Sequence, residues 1–175
     1  KDTSGLECDT AVTTQKIKVN VPPQCRFSGP QSACVGSTIA FDASATTDDT
    51  PGTLTYRWDF GDGTTGEGRI VNKTYTKGGN YKVQLLVDDN SGTACSTSTC
   101  SQTISVNSAP VANAGGDIDM CFTPKQDLSV AFNAGRSSDP DGDALTYDWN
   151  FGDGTTAVGK SVSHVYDKPG EYRVS

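Results

Sequence analysis

Hydrophobic and polar residues alternate with a period of two in several short stretches of this chain. The pattern is clear at residues 38–43, 53–58 and 81–85, where one face is apolar and the other polar. Half-buried β-strands require this alternation, and no stretch shows helical periodicity. Turn-forming sequences separate the strands, at 48–52 (DDTPG), 61–63 (GDG), 77–80 (KGGN) and 89–92 (DNSG). The pattern therefore predicts an all-β fold, with about seven short strands in an immunoglobulin-like β-sandwich.

One hexapeptide occurs twice, as WDFGDG at 58–63 and WNFGDG at 149–154, a spacing of 91 residues (149 − 58 = 91). The same spacing relates four residues outside the hexapeptide, which indicates duplicated domains rather than chance similarity. These are Tyr56, Tyr75, Gly79 and Tyr81, which recur as Tyr147, Tyr166, Gly170 and Tyr172, and within the hexapeptide Phe60 and Asp62 recur as Phe151 and Asp153.

A second spacing relates the N-terminal segment to the end of the first repeat. Cys8 corresponds to Cys95 (95 − 8 = 87), and the residues around both positions match. Three segments are therefore predicted. Residues 1–22 supply the C-terminal strand or strands of a preceding or neighbouring-copy domain, 23–108 form a complete domain, and 109–175 form a domain that lacks its last strand or strands.

Two explanations account for these incomplete ends. In the first, which we favour, the chain is a window on a longer tandem array. In the second, the N-terminal strand of one copy completes the C-terminal domain of the next, and this head-to-tail exchange builds a filament. Residues 1–22 and 109–175 together contain a counterpart of every part of the complete domain except residues 85–87.

Several motifs resemble the polycystic kidney disease (PKD) domain family, and they span nearly the whole chain. They are PVANA (110–114), FDAS (41–44), DPDG (139–142), both hexapeptides, HVY (164–166), GNYKV (79–83) and GEYRV (170–174). FNAG replaces FDAS in the later repeat, Lys73 replaces the family's His, and PPQCR replaces the Ala-rich opening. The resemblance implies PKD-type sandwiches in tandem, used as spacers or interaction modules of secreted and surface proteins, and not an enzyme.

Composition narrows the class of protein. Hydrophobic residues make up 34% of the chain, so small sandwich cores need further stabilisation, which six cysteines can supply in an oxidising extracellular or cell-surface compartment. The formal charge of −7 argues against nucleic acid as a partner. No apolar run is long enough to cross a bilayer, so no membrane insertion is expected in this segment.

Comparison of the repeats also predicts disulfides. Cys34 corresponds to Cys121 (121 − 34 = 87), and Cys95 corresponds to Cys8 (95 − 8 = 87). Cysteine therefore occupies both positions in both kinds of repeat, so we predict a Cys34–Cys95 disulfide in the complete domain. Cys8 and Cys121 then belong to different incomplete domains, and they are predicted to pair between copies or neighbouring domains.

The remaining two cysteines, Cys25 and Cys100, have no cysteine counterparts. Ala112 and Thr13 occupy the matching positions, so these two cysteines are absent together and are predicted to pair as Cys25–Cys100. The competing pairing of Cys25 with Cys95 and Cys34 with Cys100 leaves Cys8 and Cys121 unexplained.

The acidic turns suggest a cation site, because alternating aspartates offer the hard oxygen ligands that Ca²⁺ prefers. No cofactor is required, and Ca²⁺ is the one candidate. By resemblance to PKD-like domains that hold Ca²⁺, the later repeat would use Asn107, Ser108, Asp139 and Asp141, with Asp2 of the copy that completes it. The complete domain would use Asn20, Asp48 and Asp89, where Thr50 replaces one carboxylate. The alternative is a set of solvated turn aspartates that binds no metal.

Other candidate chemistry is sparse. Asn72 begins the only N-x-S/T sequon with a middle residue other than proline, and it is a possible glycosylation site. His164 is the single histidine, interpreted as a structural hydrogen-bonding residue. No pairing of nucleophile and base is evident, so no catalytic residue is assigned.

Two functions are compatible with these features. The first is an extracellular structural or adhesive module, which acts as a stiff spacer or filament subunit whose partners are neighbouring PKD-like domains or other copies. The alternative is an accessory module of a larger secreted hydrolase that binds polysaccharide or matrix protein. Exposed aromatic residues would favour the alternative, and only Phe27 and Phe122 lie outside the repeated core positions.

Overall fold

A computed structural model of the chain describes residues 12–49, 54–121 and 129–175. Within these ranges every regular element is a β-strand, which confirms the all-β prediction. The eleven strands are β1 (Ser32–Cys34), β2 (Thr38–Asp42), β3 (Thr55–Asp59), β4 (Thr65–Glu67), β5 (Ile70–Thr74), β6 (Gly79–Asp88), β7 (Thr97–Asn107), β8 (Ser129–Asn133), β9 (Asp148–Asn150), β10 (Thr156–Val158) and β11 (Ser161–Val165).

The first repeat is a two-layered sandwich. One layer is a five-stranded sheet in the order β1-β7-β6-β3-β4, in which β1 runs parallel to β7 and β3 runs antiparallel to both its neighbours. The other layer is the β2–β5 pair, which two isolated bridges extend, Gln24 with Thr47 and Ser28 with Asp42. Two facing sheets bury one face of each strand, as the alternating sequence requires.

The core of the first repeat is built from the alternating apolar positions. Trp58 is 1% exposed and Phe41 is fully buried. Phe27 is half-buried and lies edge-on to Trp58 with ring centroids 5.0 Å apart, so it belongs to the core rather than to an exposed aromatic surface. The other buried apolar side chains are Ile39, Ala43, Phe60, Tyr75, Val83, Leu85, Val87, Ile104 and Val106.

The second repeat has the same kind of core on a smaller scale. β8 pairs with β11 and β9 pairs with β10, and Trp149 and Phe151 are buried between them with Phe132 and Ala134. Ser175 exchanges two backbone hydrogen bonds with Asn150, at 2.8 and 3.0 Å. This contact reproduces the pairing of Gln84 with Asp59 in the first repeat.

The two tryptophans are held in the same way. Trp58 Nε1 donates to Gly68 O at 2.9 Å, and Trp149 Nε1 donates to Gly159 O at 2.9 Å. A buried indole N–H needs such an acceptor, since leaving it unpaired costs roughly 1–3 kcal/mol. Gly68 and Gly159 both have positive φ, 117° and 135°, a conformation that glycine adopts without strain.

One predicted disulfide is formed and another is not. Cys25 and Cys100 are bonded, with their Cα atoms 5.6 Å apart. The predicted Cys34–Cys95 disulfide is absent, because both residues are free thiols. Cys34 pairs in register with Asn107 at the end of β7, whereas Cys95 precedes the start of that strand at Thr97.

The length of β7 explains this correction. Ten residue steps separate Thr97 from Asn107, and at about 3.3 Å a step they span roughly 33 Å. A disulfide requires Cα atoms about 4.4–6.8 Å apart. Repeat comparison identified matching positions, but it could not show that these positions lie at opposite ends of the strand. Cys121 is also an exposed free thiol, while Cys8 lies outside the described residues, so its predicted bond to Cys121 stays a prediction.

Candidate functional site

The densest polar cluster of the first repeat lies beside the connection between β6 and β7. We call Asn20, Asp89, Ser91, Thr93 and Cys95 the proximal cluster. Asn20 Nδ2 donates to Asp89 Oδ2 at 2.7 Å, and the Cys95 thiol donates to Asn20 O at 3.2 Å. The segment before the first strand is thereby fixed to the β6–β7 connection.

Asp89 organises the cluster. Its side chain is 6% exposed, and its Oδ1 accepts from Ser91 N at 2.7 Å. The hydrogen bond from Asn20 lowers the pKa of Asp89 most, followed by the bonds from Ser91 and the charge of Lys18. Lys18 Nζ itself donates to Ser91 O. Asp89 is therefore held as a carboxylate, because donors surround it in spite of its burial.

The donor atoms of the proximal cluster partly suit a hard cation. Asn20 Oδ1 is buried and has no hydrogen-bond partner in the described part of the chain. Three oxygens, on Asp89, Cys95 and Val21, surround one point, which the amide nitrogen of Asn20 occupies at distances of 2.7–3.4 Å. One carboxylate with amide and carbonyl oxygens suits Ca²⁺ rather than a transition metal.

Other observations limit this interpretation. Among residues 12–49, 54–121 and 129–175, no group of three or more His, Cys, Asp or Glu side chains could hold a metal ion. Lys18 adds positive charge beside Asp89, which opposes a cation. Asp48 is half-buried, and Thr50 lies outside the described residues. The calcium site of the complete domain therefore stays a prediction.

The predicted ligands of the second repeat form an acidic turn. Asp139 Oδ1 accepts from the backbone N–H of Asp141 at 2.8 Å and of Asp143 at 3.3 Å, as turn aspartates commonly do. Asp141 Oδ2 accepts from Ser108 N at 2.5 Å, and Asn107 Nδ2 donates to Ser108 O at 3.0 Å. Hydrogen bonds therefore connect Asn107, Ser108 and Asp141, and one carboxylate oxygen each of Asp139 and Asp141 already accepts from backbone N–H groups. Asp2 lies outside the described residues.

His164 is packed against the core and hydrogen-bonded. Its Nε2 lies 2.7 Å from Asp153 Oδ2, and its ring stacks on Phe151 with centroids 4.1 Å apart. Asp153 Oδ1 accepts from the Thr155 hydroxyl and amide, which lower its pKa to about 2, with smaller contributions from His164. The sequence singled out His164 and Asp153 but gave no reason to select Thr155.

Two open clefts lie on corresponding hairpins. In the first repeat, a cleft of about 480 Å³ is lined by Tyr56, Arg57, Glu67 and Arg69 with Leu54, Thr55 and Gly68. In the second repeat, a cleft of about 350 Å³ is lined mainly by β9 and β10. Asp148 and Val158 stand there in place of Arg57 and Glu67, so only the first cleft presents guanidinium groups.

Of the remaining candidate residues, one lies on β5 and one lies outside the described residues. Asn72 is exposed on β5, where a sequon could be reached, and its glycosylation stays a prediction. Phe122 lies outside the described residues. In the described ranges, no helix is long and apolar enough to span a membrane.

Known proteins with similar sequences include several proteases. The chain is 34% identical over 88 residues to collagenase ColA of Clostridium perfringens, a match that covers 50% of this chain and 8% of ColA. It is 28% identical over 171 residues to pre-pro-metalloprotease PrtV of Vibrio cholerae, covering 93% of this chain and 16% of PrtV. The chain therefore spans less than a fifth of the length of either relative.

A solved structure and a family profile also match this chain. A structure from work on carbohydrate-binding modules of the β-sandwich superfamily has a TM-score of 0.50 and 25% identity, covering 83% of this chain and 54% of that chain. The sequence profile of the PKD domain matches residues 20–104 and 107–175. Both segments carry the tryptophan and glycine contacts described above. The chain therefore belongs to the PKD domain family.

Proposed function

We propose that this chain is an accessory module of a larger secreted hydrolase, in which it binds a polysaccharide or a matrix protein and holds the enzyme near that polymer. The observation that carries the proposal is the similarity to PrtV over 93% of the chain, which includes both repeats. The similarity to ColA supports the same class of parent protein. This is the second of the two functions compatible with the sequence.

The cleft of the first repeat is the proposed binding surface. Arg57 and Arg69 are exposed and line this open space, whereas the side chain of Tyr56 lies on the other face of β3, since successive strand residues point to opposite faces. Guanidinium groups donate to carbonyl, hydroxyl and carboxylate oxygens. Both polysaccharides and matrix proteins offer such acceptors. The chain's net charge of −7 makes these arginines a local exception to an acidic surface.

A spacer role fits the same molecule. The Cys25–Cys100 disulfide and the buried Asp89–Asn20 contact stabilise the first repeat from its opening segment to β7. A rigid sandwich of this kind separates a catalytic domain from a polymer-binding surface. The strand-exchanged filament, by contrast, has no support from the proteases to which this chain is similar.

Binding to insoluble polymers tests the proposal. The 175-residue chain would be incubated with fibrillar collagen, chitin or cellulose and its depletion from solution measured. We expect depletion by at least one polymer, and loss of binding by about tenfold in Arg57→Ala, which corresponds to about 1.4 kcal/mol. Arg26→Ala, an exposed arginine outside the cleft, is the matched control. No depletion by any of the three polymers would count against binding and leave the spacer role.

A further inference from the structure

One end of the first repeat is packed with the second repeat. A single compact unit contains the connection between β5 and β6, the end of β7 and the second repeat, at residues 30–39, 72–82 and 103–175. Within this unit, residues 108–110, which we call the linker, join the end of β7 to Val111. The backbone of Val111 exchanges hydrogen bonds with Ser138 of the second repeat at 2.8 and 3.0 Å. Because the linker is short, side chains beside it can restrict its movement.

Asp141 of the second repeat contacts both the linker and the first repeat. Its Oδ2 accepts from Ser108 N at 2.5 Å. Its carboxylate also lies against Gly78, in the connection between β5 and β6. A Cβ atom built on Gly78 would lie 2.5 Å from Asp141 Cγ and 2.6 Å from Oδ2, with Oδ1 closer still. Side-chain carbons do not approach other heavy atoms this closely, so the carboxylate occupies the space that a side chain at residue 78 would need.

Backbone conformation does not explain the glycine at residue 78, because its φ lies outside the left-handed region. The second repeat has Pro169 at the corresponding position (169 − 78 = 91). Both connections are otherwise held alike, by a tyrosine hydroxyl that donates to a lysine carbonyl, at 2.9 Å for Tyr81 and Lys77 and at 3.0 Å for Tyr172 and Lys168. A connection of this type therefore accepts a residue with a side chain, and the contact with Asp141 accounts for Gly78.

Both sides of the contact are held in place by their own repeat. In the second repeat, Asp139 Oδ1 accepts from Asp141 N at 2.8 Å, which fixes the turn that carries the carboxylate. In the first repeat, the ring of Tyr81 stacks on the buried Tyr75 with centroids 4.2 Å apart, and its hydroxyl holds the residues beside Gly78. Little conformational freedom is therefore lost when the two surfaces meet.

We propose that the Asp141 carboxylate fixes the second repeat to the end of the first, by accepting from the linker N–H of Ser108 and packing on the bare backbone of Gly78. A hydrogen bond to an ionised acceptor is stronger than one between neutral groups, which suits a contact that restricts a linker. This role of Asp141 goes beyond the accessory function proposed above and does not depend on it, since a polymer can bind whether or not the linker is rigid.

The calcium site predicted for the same turn would use Asp141 differently. Ca²⁺ is bound by oxygen ligands, so it would compete with the Ser108 N–H for the carboxylate, and it would not require a glycine at residue 78. The contact with Gly78 and Ser108, by contrast, needs no metal ion. Measurements in EDTA therefore separate the two roles of Asp141.

NMR spectroscopy of the 175-residue chain in EDTA tests the role of Asp141. Residual dipolar couplings show whether the amides of residues 72–82 and those of strands β8–β11 follow one alignment tensor. Exchange of the Ser108 amide proton reports its hydrogen bond. We expect one tensor in the wild type and two in Asp141→Ala. In that variant the Ser108 proton should exchange about two- to tenfold faster, as the loss of one hydrogen bond implies.

Gly78→Ala should loosen the linker in the same way, because its Cβ displaces the Asp141 carboxylate. This effect requires the carboxylate, so the double variant Gly78→Ala/Asp141→Ala should behave like Asp141→Ala alone. Gly116→Ala is the matched control, because a Cβ there meets nothing within 4 Å. It should keep one tensor and the wild-type exchange of Ser108.

Four outcomes would overturn this role of Asp141. Two tensors in the wild type in EDTA would do so without any variant, and so would a single tensor in Asp141→Ala. If Gly78→Ala accelerates Ser108 exchange equally with and without the Asp141 carboxylate, its effect belongs to the β5–β6 connection alone. If the wild type follows one tensor only when Ca²⁺ is added, the linker is held by a cation instead.

Discussion

His164 Nε2 lies 2.7 Å from Asp153 Oδ2, and the two side chains join β11 to the glycine-rich turn that follows β9. The first repeat places a different residue at the corresponding position, Lys73, whose Nζ lies 5.1 Å from the ring centroid of Tyr75. In both repeats, the basic side chain at this position lies against an aromatic ring of the core. The two repeats therefore share a backbone design but differ in how this turn responds to acid.

Acid should destabilise the second repeat through Asp153. Its pKa in the folded protein is about 2, below the ordinary value of 3.8, so ionised Asp153 stabilises the fold above about pH 4. That contribution is lost as the pH falls from about 4 to about 2. In Asp153→Asn, the melting temperature should be lower than in the wild type at pH 5, and the difference should shrink towards zero at pH 2.

Thr155→Val provides the control, because its hydroxyl is the largest cause of the lowered pKa of Asp153. Without that hydroxyl, the pKa should rise towards 3.8, and the acid-induced loss of stability should begin nearer pH 4. Equal slopes of melting temperature against pH in wild type and Asp153→Asn would contradict the assignment.

Removing the Cys25–Cys100 disulfide should destabilise the first repeat substantially. The bond closes a loop with a sequence separation of 75, and a loop of this size corresponds to about 4 kcal/mol in the chain-entropy model. The double variant Cys25→Ser/Cys100→Ser should lose about that much free energy of unfolding in urea under oxidising conditions. Cys34→Ser, an exposed free thiol, should change it by less than about 0.5 kcal/mol. Comparable losses in both variants would mean that the stabilisation has another source.

Gly29→Ala should destabilise the first repeat by steric overlap. A Cβ atom at residue 29 would lie 2.4 and 2.7 Å from two ring carbons of Phe41, which is fully buried and has no room to move. Overpacking of a core typically costs about 1–3 kcal/mol. Gly116→Ala is the control, because a Cβ there meets nothing within 4 Å and should change stability little. Urea denaturation would measure both, and equal effects would refute the packing argument.

Calcium should stabilise the first repeat if the proximal cluster binds it. At ten times the dissociation constant, a single site contributes about 1.4 kcal/mol to the free energy of unfolding. Asp89→Asn should abolish this effect, because it removes the buried carboxylate beside Asn20. Thermal unfolding in Ca²⁺ and in EDTA measures it.

Asp59→Asn is the matched control for that experiment. Asp59 Oδ1 accepts from Gly61 N at 2.9 Å, and the second repeat already carries Asn150 in the same role, accepting from Gly152 N at 3.0 Å. The variant should therefore fold normally and keep any response to calcium. Identical melting of the wild type with and without Ca²⁺ would eliminate the site.

The sequence alone predicted the fold because the same core residues occur in both repeats. Trp58 and Trp149 mark the same buried position, and alternation of apolar residues identified the strand faces around them. The Asp62 carboxylate, which recurs as Asp153, accepts within its own turn, where Thr64 N donates to its Oδ1 at 3.1 Å. Local patterns of this kind depend on neighbouring residues, which the sequence shows directly.

The candidate sites were harder to predict, because they depend on distances between strands. Corresponding positions in two repeats suggested a bond between Cys34 and Cys95, yet β7 separates them by its full length. Asn20 and Asp89 were selected as cation ligands, but the sequence could not show that Lys18 and the Cys95 thiol meet them. Such contacts follow from the register of strands far apart in the chain.

If the chain is the accessory module proposed above, the length of β7 also bears on how far the attached enzyme can reach. A flexible linker as long as the matched segment 20–104 would have a root-mean-square end-to-end distance of about 50 Å, with fluctuations of comparable size. In the folded repeat, by contrast, the strand itself holds the two ends of β7 roughly 33 Å apart. A polymer held at one end would then be presented at a nearly fixed separation, so the local concentration of cleavable bonds would depend on the number of repeats rather than on linker flexibility.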